Sequence, residues 1–306
     1  MPQTTTQMDV SALNPEMWAN LMQVPLRKSL VADAVADTQF EALLQYGDKV
    51  NQPYIDETSS EDYTPGQPFE AKGTTATQDT LTVDQFKIVP NYVDDVRELQ
   101  SKYRYSMDLI ENQAYQLRDD IDTAVLKNVT GAGNFLYAAT TAQNDITATD
   151  TLATASAGNK IKVHDGDSDT TAVSPKELFS HARKKLRSEN VEEAGDWVTV
   201  IDPDLAQTIE MYGVEKGFNV ADATLKNGWV GNFLGFKVYI SNNLPDNWAY
   251  FGKSKRIGAV VQMPPRVRIK DVPNKLGVNI VTSVVYGTNV FTKDADRFLG
   301  VYYETA

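Results

Sequence analysis

The chain has 306 residues, 42% hydrophobic and 23% charged, and a mean hydropathy of −0.37. It is long enough for roughly two domains, too apolar to be disordered and too polar to span a membrane as helices. Lys and Arg number 29 against 41 Asp and Glu, a net charge of −12 that repels a phosphate backbone, so nucleic acid is not expected as a direct ligand. Without cysteine there is no disulfide framework, thiolate nucleophile or cysteine metal site. Residues 1–10 lack the basic and apolar regions of a signal peptide, which points to the cytoplasm.

Asn14 as cap and Pro15 at the first helical position open a short helix with Met17, Trp18, Leu21 and Met22 on one face. A second helical pattern follows through Leu30, Val31, Ala34, Phe40, Leu43 and Leu44, with Gly47 as its stop. These read either as core helices or as an arm that docks its Trp18 face on a neighbour. Residues 48–78 are polar and punctuated by Pro53, Pro65, Gly66, Pro68 and Gly73. Strand-like alternation follows: Leu81 and Val83, then Phe86, Ile88, Pro90 and Tyr92 in the opposite phase, which implies a bulge. The stretch reads as a long two-stranded arm, and a lone hairpin is marginal in water, so something outside it must stabilise it.

Val96, Leu99, Tyr103, Met107, Ile110, Ala114, Leu117, Ile121 and Val125 recur at the helical period and predict one helix on the order of 50 Å long, ended by Gly131 and Gly133. Residues 138–172 read as surface loop with short strands. Ser174-Pro175-Lys176-Glu177 is a capping box opening a helix that ends near Asn190. Strand 197–201 and a helix capped by Asp202-Pro203 complete an αβα unit. The last third reads as strands at 236–240, 257–262, 266–272, 278–286 and 298–303. Helices first and strands last predict α+β with an antiparallel sheet.

No catalytic constellation emerges. His164 and His181 lack any partner spacing and read as solvated. Gly252-Lys253-Ser254 lacks the first glycine of a phosphate loop, and Gly131-Ala132-Gly133 follows a helix rather than a strand. Asp165, Asp167 and Asp169 alternate as in a calcium loop, but Thr170 and Lys176 occupy the positions of its glycine and its bidentate glutamate, so an exposed acidic turn is the plainer reading. Arg183, Lys184, Lys185 and Arg187 form a solvated helix face among glutamates. No catalytic, cofactor-binding or metal-ligating residue is assigned.

The order of parts resembles the Hong Kong 97-type major capsid protein of tailed bacteriophages, and the local text agrees. Residues 83–98 (VDQFKIVPNYVDDVRE) resemble that family's passage from extended loop into spine helix. Residues 198–205 (VTVIDPDL) are similar to its axial strand-to-helix step, 235–245 (GFKVYISNNLP) to its glycine-aromatic strand with a Ser-Asn turn, and 285–290 (VYGTNV) to its final peripheral strand. The resemblance implies an α+β fold with an N-terminal arm (1–47), an extended β-hairpin loop (48–90), the spine helix of a peripheral domain with an antiparallel sheet (91–130), an axial αβ domain (131–255) and return strands of both domains (256–306).

The resemblance also implies a non-enzymatic shell subunit without cofactors, built into hexamers and pentamers of itself and enclosing double-stranded DNA in a virion assembled in the host bacterial cytoplasm. Its expected partners are further copies, a separate scaffolding protein, a portal protein and a decoration protein, with DNA enclosed but not specifically bound. The expected subunit contacts are Trp18, Met22 and Leu26 on the arm and Tyr54, Tyr63 and Phe69 on the loop. Some relatives crosslink a loop lysine to a neighbour's asparagine; Lys72 and Asn274 lie in suitable regions without a flanking signature. The alternatives are an encapsulin-type compartment shell and, in another class, a calcium-dependent adhesin or hydrolase.

Overall fold

A computed structural model of the chain describes residues 27–28, 30–44, 46–56, 58–68, 73–100, 105–139, 145–165, 172–191, 196–215, 231–273 and 275–305. In chain order these form β1 (Ala36–Asp37), β2 (Lys49–Ile55), β3 (Ala76–Thr82), β4 (Gln85–Asp94), α1 (Asp95–Gln100), α2 (Tyr105–Lys127), β5 (Asn134–Ala138), β6 (Ile146–Thr149), α3 (Leu152–Ala157) and β7 (Ile161–Val163). They continue with α4 (Pro175–Ser188), β8 (Trp197–Ile201), α5 (Pro203–Glu215), β9 (Asn232–Phe233), β10 (Phe236–Ile240), β11 (Trp248–Lys253), β12 (Ile257–Asp271), β13 (Gly277–Asn289), α6 (Thr292–Ala295) and β14 (Phe298–Thr305).

The larger sheet runs β6-β5-β14-β11-β8-β10-β9, with β7 also paired to β14. It is mixed: β10 runs parallel to β8, and β5 and β7 parallel to β14, while the antiparallel pairing that the order of elements predicted is that of β12, β13 and β4 in the smaller sheet. The crossover from β8 to β10 passes through α5, the usual way to join parallel neighbours. Both faces are covered. Phe179 and Leu186 of α4 and Leu205 and Ile209 of α5 pack with Phe236, Phe251 and Leu299 on one side. Val125, Leu126 and Val129 pack with Val198, Val200, Trp248 and Tyr250 on the other. Burial on two faces explains why β11 reads as an unbroken apolar run without alternation, a strand the sequence pattern does not reveal.

The smaller sheet has the order β1-β12-β13-β4. Helix α2 lies against one face, where Leu117 packs with Val284 and Tyr286, and Gln113 donates to the Ile280 carbonyl (3.2 Å) and accepts from Thr282 Oγ1 (2.6 Å). At 23 residues α2 spans about 35 Å. Pro264 and Pro265 do not divide strand β12 in two. It passes through them with register shifts between Val261 and Met263 and between Met263 and Arg266, bulges that tolerate residues lacking an N–H donor.

The helix expected over 30–47 is absent among the described residues. Residues Ala32–Ala34 form one 3-10 turn, Ala36–Asp37 then pair in parallel with Ile257 and Gly258, and Leu43 is 71% exposed. Val31, Val35, Phe40 and Leu44 are buried, so the periodic apolar positions serve separate clusters rather than one helix face.

Candidate subunit-contact surfaces

The first surface is the β2–β3 hairpin, paired from Lys49 with Thr82 to Ile55 with Ala76. It is shorter than the ribbon read from sequence, because the chain turns at Val83 and Asp84 and β4 joins β13 instead. The phase change between Val83 and Phe86 marks this hand-over between sheets. The root is bolted down: Leu81 and Val83 are buried with Phe40, Leu44, Val260 and Phe291. Asp79 accepts from the Thr292 N–H (2.7 Å) and hydroxyl (2.9 Å), and Asn289 donates to the Thr80 carbonyl (2.8 Å). Beyond the paired strands residues 58–68 are all exposed, with Ile55 at 67% and Tyr63 at 65%.

Residues 27–28 and 30–32 form a strap along α2. Arg27 pairs with Glu111 (2.9 Å) and lies over the Tyr115 ring, and the Lys28 N–H donates to the Tyr115 hydroxyl (2.5 Å). Asp122 Oδ1 accepts from the N–H groups of Val31 (2.8 Å) and Ala32 (2.7 Å), closing the first turn of the 3-10 segment. Asn243, from the turn after β10, donates to Asp119 Oδ1 (2.7 Å) and Asp122 Oδ2 (2.8 Å) while its own Oδ1 accepts from the Lys28 ammonium (2.9 Å). The anchors Glu111, Tyr115, Asp119 and Asp122 fall at steps of 4, 4 and 3, one stripe of a helix. The apolar stripe of the helix does not reveal these residues. Their regular spacing is the signal that marks a second covered face.

The third surface is the face of the smaller sheet turned away from α2. Directly paired strand residues share a face, so Phe86, Ile88, Pro90 and Tyr92 of β4 lie with Val285, Ser283, Val281 and Asn279 of β13, and these with Met263, Arg266, Arg268 and Lys270 of β12. Phe86 is 71% and Ile88 64% exposed. At its inner end Val285 packs against the hairpin-root cluster, so hairpin and open face belong to the same side of the molecule.

Of the contact residues expected from sequence, Tyr63 is exposed, whereas Tyr54 is half-buried with the Lys293 ammonium 5.4 Å from its ring centre. Trp18, Met22, Leu26 and Phe69, like Lys72 and Asn274, lie outside the described residues. His181 is exposed on α4; His164 is not freely solvated but half-buried, its ring edge-on to Tyr212 at 6.4 Å. Asp165 is described and Asp167 and Asp169 are not. Among the described residues no cluster of three or more His, Asp or Glu is placed to hold a metal ion, and no helix is long and apolar enough to cross a membrane. Gly252 and Lys253 end strand β11, and Ser254 follows in a bend rather than a helix. What the described residues offer is surface for association.

Comparison with known proteins agrees with this character. The family model described as phage capsid protein matches residues 106–303. A search of curated proteins finds no match. Among solved structures, one from Mycobacterium phage Che8 is similar with a TM-score of 0.74 at 19% identity, covering 95% of this chain and 97% of the other. The capsid structure of the cyanophage P-SCSP1u has a TM-score of 0.71 at 18% identity, covering 98% and 96%. A third, from the mature capsid of bacteriophage PhiM1, has a TM-score of 0.67 at 12% identity, covering 95% and 92%. At these identities the likeness establishes the fold, and it is the α+β capsid fold that the order of elements implied.

Proposed function

The chain belongs to the phage capsid protein family, a structural component of the virion and not an enzyme, and from that premise we propose that it is the major capsid protein of a tailed bacteriophage, its copies closing into an icosahedral shell around double-stranded DNA. The observation that carries the reading is the family match over 106–303 together with a fold shared over nearly the whole chain. Self-association is the chemistry such a subunit needs, and its open surfaces suit it. Hairpin β2–β3 has a buried root and a tip whose described residues, 58–68, are exposed, and covering that tip on an adjacent copy supplies the burial a two-stranded ribbon lacks.

In this reading the copies form hexamers and pentamers through many modest interfaces. The smaller sheet with α2 is the peripheral part, the larger sheet with α4 and α5 the axial part, and the hairpin the extended loop. Tyr63, with Trp18, Met22, Leu26 and Phe69, contacts neighbours, while Tyr54 is already engaged by Lys293. A separate scaffolding protein, a portal and a decoration protein complete the set of partners, and the net charge of −12 lets the wall enclose DNA without adhering to it. The test is electron microscopy with analytical ultracentrifugation of the purified protein, alone and co-expressed with its neighbouring phage genes. Closed shells or capsomers are expected; a protein that stays monomeric under every condition overturns the reading.

A further inference from the structure

Helix α2 is shared between the two sheets. Leu117 packs with Val284 and Tyr286 of the smaller sheet, Val125, Leu126 and Val129 pack with Val198, Val200 and Tyr250 of the larger one, and Ile121 between them touches both clusters. The helix is held to the larger sheet at two places of different chemistry. The packing at 125–129 is apolar, whereas the turn after β10 grips the helix through Asn243, whose amide donates to Asp119 and Asp122. Asp119 lies six residues, about 9 Å, along the helix from Val125, so the polar grip acts at a distance from the apolar contact and resists rotation about it.

Lys28 completes the grip. Its ammonium stands 2.9 Å from Asn243 Oδ1 and 3.5 Å from Asp119 Oδ2, and among the described residues no other cation pairs with Asp119 or Asp122. The strap has a fixed end and a free end. Val31 is buried in the apolar cluster, but Arg27 and Lys28 are held by polar contacts, with the Arg27–Glu111 pair at the surface and the Lys28 side chain 45% exposed. Desolvating such charges offsets most of what pairing them contributes, so a charged contact opens readily where an apolar plug would stay shut. We propose that Lys28 is the bolt of a latch between the two sheets. Closed, it fixes the angle between them; withdrawn into water, it loosens the grip of Asn243 and lets the sheets rotate about the packing at 125–129. The inference rests on the reading that copies close into hexamers and pentamers, and adds the element by which one chain adjusts to both rings.

The test uses full-length protein, whose lack of cysteine lets two labels be placed at will. Lys184→Cys on α4 and Lys270→Cys on β12, both exposed, carry nitroxides, and labelled copies are diluted with unlabelled ones for double electron–electron resonance. One narrow distance distribution is expected. Asn243→Asp, which sets a third carboxylate against Asp119 and Asp122, and Lys28→Ala are each expected to at least double its width, with amide exchange of β8, β11 and β14 unchanged. Asn243→Asp/Asp119→Asn/Asp122→Asn inverts donor and acceptor at both contacts, still offers Lys28 a carboxylate, and is expected to restore the narrow distribution. Shells of Asn243→Asp are expected to spread in diameter by electron microscopy where wild-type shells are uniform. The latch is overturned if either single variant keeps the wild-type width, if the inverted cluster stays as broad as Asn243→Asp, or if the shells of Asn243→Asp are as uniform as wild type. Wild-type protein that never assembles would instead defeat the capsid reading, while the label distances would still decide the latch.

Discussion

Asn243 and Asp122 stand 121 positions apart in the chain and 2.8 Å apart in space, and through that contact the turn after β10, helix α2 and the strap of residues 27–28 and 30–32 become one unit. Asp122 is 1% exposed and has three donors; Asn243, at 5%, spends its amide on two carboxylates and its carbonyl on Lys28. Asp122→Ala leaves the Val31 and Ala32 N–H groups and half of the Asn243 amide without acceptors in a buried setting, at a cost of about 3 kcal/mol. Urea unfolding of the unassembled protein should show it as a lower midpoint with little change in slope, and Asn243→Ala should cost less when made in the Asp122→Ala background than alone.

Leu81 is fully buried at the hairpin root. Leu81→Ala removes three carbons from a small cluster and is expected to cost about 3 kcal/mol. The cost should fall locally: amide exchange of β2 and β3 accelerates, while β8, β11 and β14 keep their protection. Uniform loss of protection across both sheets would contradict this.

Gly287 lies where β13 passes beneath the end of the hairpin. A Cβ there would sit 2.3 Å from the Thr82 carbonyl oxygen and 2.8 Å from the Val83 Cα, both backbone atoms. Gly287→Ala therefore has to displace the hand-over from β3 to β4, with a loss of about 2 kcal/mol in thermal or chemical unfolding. The effect should be largest on assembly, since the hairpin leaves the body at this point.

Burial pushes the phenols of Tyr250 and Tyr303 well above the usual tyrosine range. With the folded pKa raised, the stabilising difference is fully present below the unfolded value near 10 and is lost as pH climbs past it, because only the unfolded chain ionises there. Each residue contributes a decline of up to about 1.4 kcal/mol per pH unit above pH 10. Melting temperatures are expected to fall steeply between pH 10 and 11, with a shallower fall in the Tyr250→Phe/Tyr303→Phe protein.

What was legible in the sequence was what local chemistry decides. Helix α4 starts where Ser174 and Glu177 cap each other reciprocally, and Asp202 caps α5 through the Leu205 N–H (2.9 Å). Strands β8 and β10 match their expected bounds. Helix α2 was visible through its apolar stripe, but the strap on its polar stripe was not, because Glu111, Asp119 and Asp122 look like any solvated acids until a distant segment lies across them. Local periodicity also misled over 30–44, where apolar residues at helical intervals belong to different clusters. The contact surfaces were legible only in part. Tyr63 is as open as its polar loop implied, yet the basic row of β12 was hidden by two prolines that seemed to end a strand.

Those prolines have a consequence for how the chain tolerates length change. Downstream of them, composition does not settle which residues meet an outsider; the residue count does. Deleting Val267, with the bulge left in place, would leave every later side chain in the molecule and yet exchange the faces of Arg268 and Ile269, whereas deleting Pro265 would take away the extra residue and leave Arg266 opposite Ser283. A one-codon loss within the strand beyond the bulge is therefore a more severe lesion than a one-codon loss at the prolines.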